Sequence, residues 1–582
     1  MTDLAGSFTF ILHAHLPYVL SHGRWPHGTD WLNEATGETY IPLLNVLHQL
    51  IQEGHTPRVT LGITPILTEQ LADPGFKIEF KEYMLNKIEA ARSDQKEFTR
   101  TGEKQLKKVS VFWEKVFTER LRDFTEKYGE DLVGAFGDLQ KKGIIEIITC
   151  AATHGYLPLL GRDESVQAQI RQATRSYERH YGQKPRGIWL PECAYRPRYE
   201  WKRPLKLYAK DQPKLRKGVE EFLSEEGLDY FIIDAHLLRG GKAIGIYLDR
   251  FEALQKLWGH FSDTYAPTGE NTERTPYQAY YVNSFGHEKK RPVSVLTRDP
   301  QTGTQVWSGE HGYPGNPFYL DFHKKHFPGG HRYWRVTDTK ADLSEKKLYD
   351  PEKTAEIVEE QAGHFVSMVK ETLLSHDNKK GQQSILSAPY DAELFGHWWF
   401  EGPDWLYHVL KQMDTDPAID LTTGSRYLSE HPGTEVISIP EGSWGEGGFH
   451  WIWLNEWTEW IWKNIYEAED RMVDLCKKFR HDQTPDLTRV LNQLGRELLL
   501  LQSSDWPFLV STWSAKDYSE LRVSEHMEDF RKLADMAGKV GEKGELSRED
   551  EEFLSLCEER DRVFPDLDYH LWSDIQFPAI SS

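Results

Sequence analysis

Two carboxylates are set apart by the company they keep. Glu192 ends the apolar run of "GIWLPECAY", between Pro191 and Cys193, with Trp189 and Tyr195 close on either side. Asp391 follows the run "SILSAPY" and precedes "AELFGHWW". Solvated surface acids rarely have such neighbours, whereas acids that work in a cleft often do. A pair of carboxyls facing one cleft can exchange a glycosidic bond. One attacks the anomeric carbon; the other protonates the leaving oxygen and later takes a proton from the acceptor. Retention of configuration requires the two to stand about 5–5.5 Å apart. The competing use of either acid is an ion pair with an arginine such as Arg196 or Arg198.

His13 and His15 flank Ala14 at the end of "FTFIL". Alternation along a strand turns both imidazoles to one side. With His154, His236 and Asp391 they form a set like the metal cluster of amidohydrolase-type barrels, although no lysine sits at a strand end to bridge two ions. The same placement suits neutral imidazoles bonded to sugar hydroxyls, or a satisfied buried pair. The segment "EGSWGEGGFHWIW", Glu441 to Trp453, lacks the GK[ST] of a phosphate loop. Its glycines allow Trp444, Phe449 and Trp451 to crowd a cleft or to wedge a core. In "QSSDWPF", Asp505 and Trp506 stand at a helix end where a polar side chain can reach the same cleft. The serines there have no nucleophile-elbow context, so Ser-His-Asp hydrolysis is not supported.

Positioning these groups requires a scaffold that brings distant segments to one rim. Seven short runs, mostly β-branched or aromatic, each end in a polar or aromatic cluster: "FTFIL", "VTLGI", "IIEIITC", "GIWL", "YFII", "VSVL" and "SIL". Buried parallel strands have this character. Helical stretches between them, such as Glu352 to Leu374, predict an α/β fold with a parallel sheet. Polar residues after several different strands are what a (β/α) barrel gathers at its C-terminal face. "EVISI", Glu435 to Ile439, is a candidate eighth strand. The expected division is a (β/α)7 barrel over 1–400, with insertions near 80–135 and 195–292, then an α-helical domain over 401–582 that contributes to the cleft. The tyrosine-rich 240–292 stretch is long for a structureless loop and reads as a lid or small subdomain. In the last part, Trp457, Ile461, Ile465, Ala468, Met472 and Leu475 form one helical stripe, and Leu487, Leu491, Leu494, Leu498 and Leu501 another. Ser547 with Asp550 has the spacing of a capping box.

Composition narrows the function classes. A net charge of −21 over 582 residues argues against nucleic-acid or anionic-membrane partners and leaves neutral ligands open. The four cysteines are scattered without CxxC spacing, which favours a reducing cytoplasm over a disulfide scaffold or zinc knuckle. No run approaches the ~18 apolar residues of a membrane helix, and "FTFIL" is too short for a signal-peptide core. The 20 Trp and 26 Tyr suit both core packing and stacking on sugar rings.

With these residues assembled, the chain resembles glycoside hydrolase family 57, and within it the 1,4-α-glucan branching enzymes. The matching stretches are "HAHLPYV", "ATHGYLPLL", "WLPECAY", "SAPYDAELFGHWWFEGP", "EGSWGEGGFHWIWLN" and "QSSDWPF", in family order from His13 to Asp505. "TRDPQTGTQVWSGEHGYPGNP", Thr297 to Pro317, is similar to a family segment that borders the cleft. The resemblance implies an incomplete seven-stranded barrel followed by a helical domain, with no metal or organic cofactor. It implies Glu192 as nucleophile and Asp391 as general acid/base. It further implies glucan binding by Arg298, Gly315, Trp444 and Asp505, with His13, His15 and His154 lining the donor site as sugar contacts.

The implied reaction is a retaining transglycosylation on α-1,4-glucan donor and acceptor chains, forming α-1,6 branches. The same carboxyls would serve an amylase if water accepts, or a 4-α-glucanotransferase if a 4-hydroxyl does. A glucan-binding protein with little turnover is the reading from a different class. Family branching enzymes commonly carry a loop tyrosine over the cleft; Tyr277 in "TPYQAYY" is assigned that place, with Tyr265 second. The chain departs from the family after "QSSDWPF". Where Thr-Gly-Gln-Ala is usual, it reads Thr512-Trp513-Ser514-Ala515, so Ser514 takes the place of a glutamine contact that it is too short to replace.

Overall fold

The computed structural model of the chain describes residues 4–239, 274–283, 291–309, 312–376, 383–482 and 484–573. Each of the seven apolar runs contains a strand: β1 (Gly6–Ala14), β2 (Val59–Ile63), β3 (Ile145–Ile148), β4 (Gly187–Ile188), β5 (Tyr230–Ile233), β6 (Val293–Thr297) and β7 (Ile385–Asp391). Their side chains are buried on both faces, as expected for parallel strands enclosed by helices. β1 pairs in parallel with β7 on one side and β2 on the other, and β2 pairs with β3. β5 lies between β4 and β6, again in parallel.

These two sheets join through single parallel bridges. Thr149 after β3 meets Ile188 of β4, and Arg298 after β6 meets Ser387 of β7. The ring therefore closes in chain order with seven strands. Gly187 is required at the first seam, because a Cβ there would lie 2.5 Å from the Tyr230 ring.

"EVISI" is not an eighth stave. Only Val436–Ile437 is extended, and it pairs with Tyr280–Val282, a strand that runs antiparallel to β6 outside the ring. The chain also returns to the barrel wall after residue 400, where Ile419–Leu421 pairs with the start of β1.

The charged insertion forms two long helices, Pro74–Thr101 and Lys104–Arg122. The last part is helical, with Glu459–Lys478, Pro485–Leu501, Asp505–Thr512, Lys516–Lys543 and Arg548–Arg560. Both stripes are buried apart from Trp457, which precedes its helix and is part-exposed. Ser547 Oγ accepts from the Asp550 N–H at 3.2 Å and starts the final helix. This helical part docks on the loop after β3: Gly155 bridges Ser503, and the Ser504 N–H donates to the His154 carbonyl at 3.0 Å. Among the described residues no helix is long and apolar enough to cross a membrane.

Candidate active site

The seven strands deliver polar residues to one rim. β1 ends in His13 and His15, β2 in Thr64, β5 in Asp234, β6 in Arg298 and Asp299, and β7 in Asp391. Glu192 follows β4 in the turn Pro191–Cys193, where its backbone is left-handed (φ 59°, ψ 26°). That conformation costs a non-glycine residue roughly 1–3 kcal/mol and persists only where neighbours enforce it. Here the Trp444 N–H donates to the Glu192 carbonyl at 3.1 Å, and Tyr195 and Gly442 exchange backbone hydrogen bonds at 2.9 and 3.0 Å. The "EGSWG" segment is thus zipped onto "PECAY". It brings the Trp444 indole N–H to Glu192 Oε2 at 2.8 Å.

The other carboxylate oxygen, Oε1, accepts from the Ser504 hydroxyl at 3.3 Å. Burial pushes the Glu192 carboxyl up to about 7, with the nearby Asp505 charge adding to it. The Trp444 and Ser504 donors and the His15 charge work in the opposite direction.

Behind Ser504 lies a directed chain of hydrogen bonds. His154 Nδ1 is 2.8 Å from Ser504 Oγ, and His154 Nε2 is 3.1 Å from His13 Nε2. Burial, reinforced by neighbouring imidazoles, holds both histidines well below the usual range, so each is neutral at neutral pH. A neutral imidazole carries one N–H. With Ser504 donating to Glu192, His154 donates from Nδ1, and its bare Nε2 accepts from His13. His13 Nδ1 is then the bare nitrogen, and it is the buried atom that has no partner. The tautomers of both rings follow from what each nitrogen faces. The His13 ring is fixed by stacking on Trp189, with centroids 4.5 Å apart and planes 5° apart.

His15 behaves differently. Its Nε2 meets Asp505 Oδ2 at 2.9 Å, its Nδ1 meets Thr64 Oγ1 at 3.2 Å, and its N–H donates to Glu393 at 3.1 Å. Burial opposes its charge most strongly, but the Asp505 carboxylate, with Glu393 and Glu192 adding to it, raises the imidazole. Asp505 in turn is held at about 2 against its own burial, chiefly by His15. The site therefore holds one ion pair, His15 with Asp505, beside two neutral histidines.

Asp391 is half-buried at the last position of β7, directly across from His13 in register. Cys193 lies where both acids are felt. Burial pushes its thiol well up and Arg298 works against that, while Asp234, Glu192 and Asp391 add to it. Arg298 donates from Nη2 to Asp234 Oδ2, and its guanidinium lies 5.7 Å from the Trp444 ring centroid.

Gly315 sits in the turn Tyr313–Gly315, which folds back so tightly that a Cβ would fall 2.2 Å from the Gly309 carbonyl oxygen. Ser514 is exposed and its hydroxyl is shared with Thr512 at 2.5 Å.

Tyr277 is anchored by its backbone at the far end of the barrel wall, and its hydroxyl reaches Asp299. Its carbonyl accepts from the Ile385 N–H at 2.9 Å, at the start of β7. That end lies six residues, roughly 20 Å of strand, from Asp391. Its hydroxyl supports Asp299 at 2.8 Å, the cap of the helix Pro300–Trp307. The TPYQAYY motif marked a tyrosine cluster; the long-range backbone pairing that captures Tyr277 has no local signal. Tyr265 lies outside the described residues. His236 turns to the Gly448 carbonyl at 3.3 Å rather than to His13.

Ser504, Asp234 and Glu393 were not singled out as site residues, and each holds one that was. Ser504 immediately precedes Asp505 in a quoted motif, and Asp234 stands at a strand end next to that of Arg298, so position was the available signal. His15, His154 and Asp505 have ligand atoms within 4.8 Å of one another, as do His13, Cys150 and His154. His15 Nε2 and Asp505 Oδ2 are paired with each other, and His154 Nδ1 and Nε2 face Ser504 and His13.

The model for glycosyl hydrolase family 57 matches residues 9–440, and one for the C-terminal region of 1,4-alpha-glucan branching enzymes matches 464–572. The chain is 43% identical to the 1,4-alpha-glucan branching enzyme TK1436 of Thermococcus kodakarensis over 96% of this chain and 78% of that one. A crystal structure of the GH57-type branching enzyme from Pyrococcus horikoshii superposes with a TM-score of 0.86 at 39% identity, covering 99% and 98% of the two chains. The alpha-amylase AmyC from Thermotoga maritima superposes with a TM-score of 0.77 at 29% identity, covering 98% and 100%. With a family model matching most of the chain and a relative at 43% identity over 96% of it, the chain belongs to glycoside hydrolase family 57.

Proposed function

We infer that this cleft builds α-1,6 branches on α-1,4-glucan by retaining transglycosylation, with Glu192 as nucleophile and Asp391 as general acid/base. The ionised Glu192 attacks C1 of a donor glucose and the bond from C1 to the glycosidic oxygen breaks. Asp391 gives its proton to that oxygen, and the shortened chain leaves. The 6-hydroxyl of an acceptor chain then attacks C1 of the glucosyl-enzyme. Its proton passes to Asp391 and the Glu192 carboxylate is released.

The observation that carries this reading is the grip on Glu192. Its backbone is strained, and each carboxylate oxygen faces its own donor, Trp444 on Oε2 and Ser504 on Oε1. Donors of this kind favour the ionised form that a nucleophile needs. In this reading Arg298, Gly315, Trp444 and Asp505 bind the glucan, His13, His15 and His154 line the donor site, and the barrel and the helical part share the cleft. The four cysteines are buried and unpaired, in keeping with a reducing cytoplasm.

The test is to incubate the protein with amylose and count new α-1,6 linkages by proton NMR beside new reducing ends. Branches in excess of reducing ends are expected, and both should vanish in Glu192→Gln. Reducing ends without branches would make water the acceptor, as in an amylase. Wild-type turnover by Glu192→Gln would overturn the assignment of the nucleophile.

A further inference from the structure

We propose that Trp513, with Trp457, forms an additional α-glucan-binding platform on the outer end of the helix that carries Asp505. The inference rests on reading the cleft as a glucan site. Trp513 follows the helix Asp505–Thr512 as its C-terminal cap, in a left-handed conformation with φ 56° and ψ 16°. A bulky side chain is a poor choice for that conformation, which glycine adopts freely. It is also 56% exposed. The Lys516 ammonium, 5.8 Å from its ring centroid, leaves the indole more than half exposed, and a residue so placed is explained by something it binds.

The platform continues from the cleft. Along the helix, Trp506, Pro507, Val510, Ser511 and Thr512 are buried. The residues left part-exposed are Asp505, Phe508 and Leu509, which share one face at i, i+3 and i+4. This strip leads from the carboxylate beside His15 to Trp513, eight residues and about 12 Å further on. That is a few sugar residues from Asp505.

The two indoles have centroids 5.5 Å apart and planes inclined at 42°. α-1,4-Linked glucose chains curve, so successive sugar faces are inclined to one another. Two tilted rings fit such a chain better than a flat apolar partner. Aromatic faces are well suited to the C–H faces of sugars, and a neutral glucan needs no charge complement on this acidic protein.

The experiment uses the full chain with Glu192→Gln, so that bound glucan is not consumed, and compares Trp513→Gly and Trp513→Ala on that background. Affinities for a long maltooligosaccharide and for maltotriose are read by calorimetry, and Tm by scanning calorimetry. The expected result is about a tenfold weaker affinity for the long chain (about 1.4 kcal/mol), unchanged maltotriose binding, and a Tm for Trp513→Gly at or above the parent. Unchanged affinity for the long chain would overturn the platform. So would a lowered Tm with equal weakening for both ligands, which is the mark of a structural role. If the parent binds neither ligand, the reading of the cleft itself fails, and with it the platform.

Discussion

Replacing Trp444 with Phe removes the indole N–H from Glu192 Oε2 while leaving an aromatic face beneath Arg298. Burial already pushes Glu192 up to about 7, so its ionisation sets the acid limb of the free enzyme's activity, which rises with pH through that value. A hydrogen bond to a charged acceptor is worth about 1.5–3 kcal/mol. At 1.36 kcal/mol per unit, its loss moves the limb upward by about 1–2 pH units. At pH 7 the ionised fraction then falls from about one half to between roughly 10% and 1%. kcat/KM for amylose should drop by roughly 5- to 50-fold at that pH, and most of the deficit should be recovered near pH 9. Ser504→Ala removes the longer bond to Oε1, at 3.3 Å, and should move the limb in the same direction by less. The assay is a full pH profile of kcat/KM for each variant. A uniform fall with an unmoved limb would refute the reasoning, since Trp444 would then act only as a surface for sugar.

Asp391→Asn should lower turnover of amylose by about 10²–10⁴-fold, the usual contribution of a general acid. It should still be glycosylated by α-glucosyl fluoride, whose leaving group needs no proton; equal loss on both donors would remove Asp391 from that role. Glu401 is buried, and among the described residues its partners, the Tyr349 hydroxyl at 2.8 Å and the Leu320 N–H at 3.1 Å, are all on Oε1. Burial raises this carboxyl from 4.5 to about 7 in the folded state. The folded chain thus holds a proton that the unfolded chain gives up near 4.5. The associated stability is complete below that pH and is lost as pH rises through about 7, by roughly 3 kcal/mol. Glu401→Gln should lose less stability than the parent between pH 5 and pH 8 in denaturant titrations; parallel loss would show that Glu401 is not a source of the pH dependence.

The barrel could be read from the chain because its seven staves are short, buried on both faces and rich in β-branched or aromatic residues. Their order around the ring is also their order in sequence. Glu192 and Asp391 were readable for the same reason, as acids at the ends of such runs. What could not be read is what crosses the molecule. Closure at Thr149–Ile188 and Arg298–Ser387 rests on single bridges. The Trp444 contact joins residues 252 positions apart, and the Ser504 contact residues 312 apart. "EVISI" is rich in β-branched residues like a strand, yet its partner, Tyr280–Val282, lies outside the ring. Tyr277 shows the same limit, since its place is decided by a backbone bond to Ile385 that local sequence does not announce.

The most direct test of the account is to trap the glucosyl-enzyme. A fluorinated glucosyl fluoride that is transferred quickly and released slowly is incubated with the protein, which is then digested and mapped by mass spectrometry. The account predicts one added fluoroglucosyl group on the peptide that spans Gly187 to Tyr195, at Glu192, and no label in Glu192→Gln. A label on any other residue, or turnover of the reagent through an unlabelled enzyme, would contradict it.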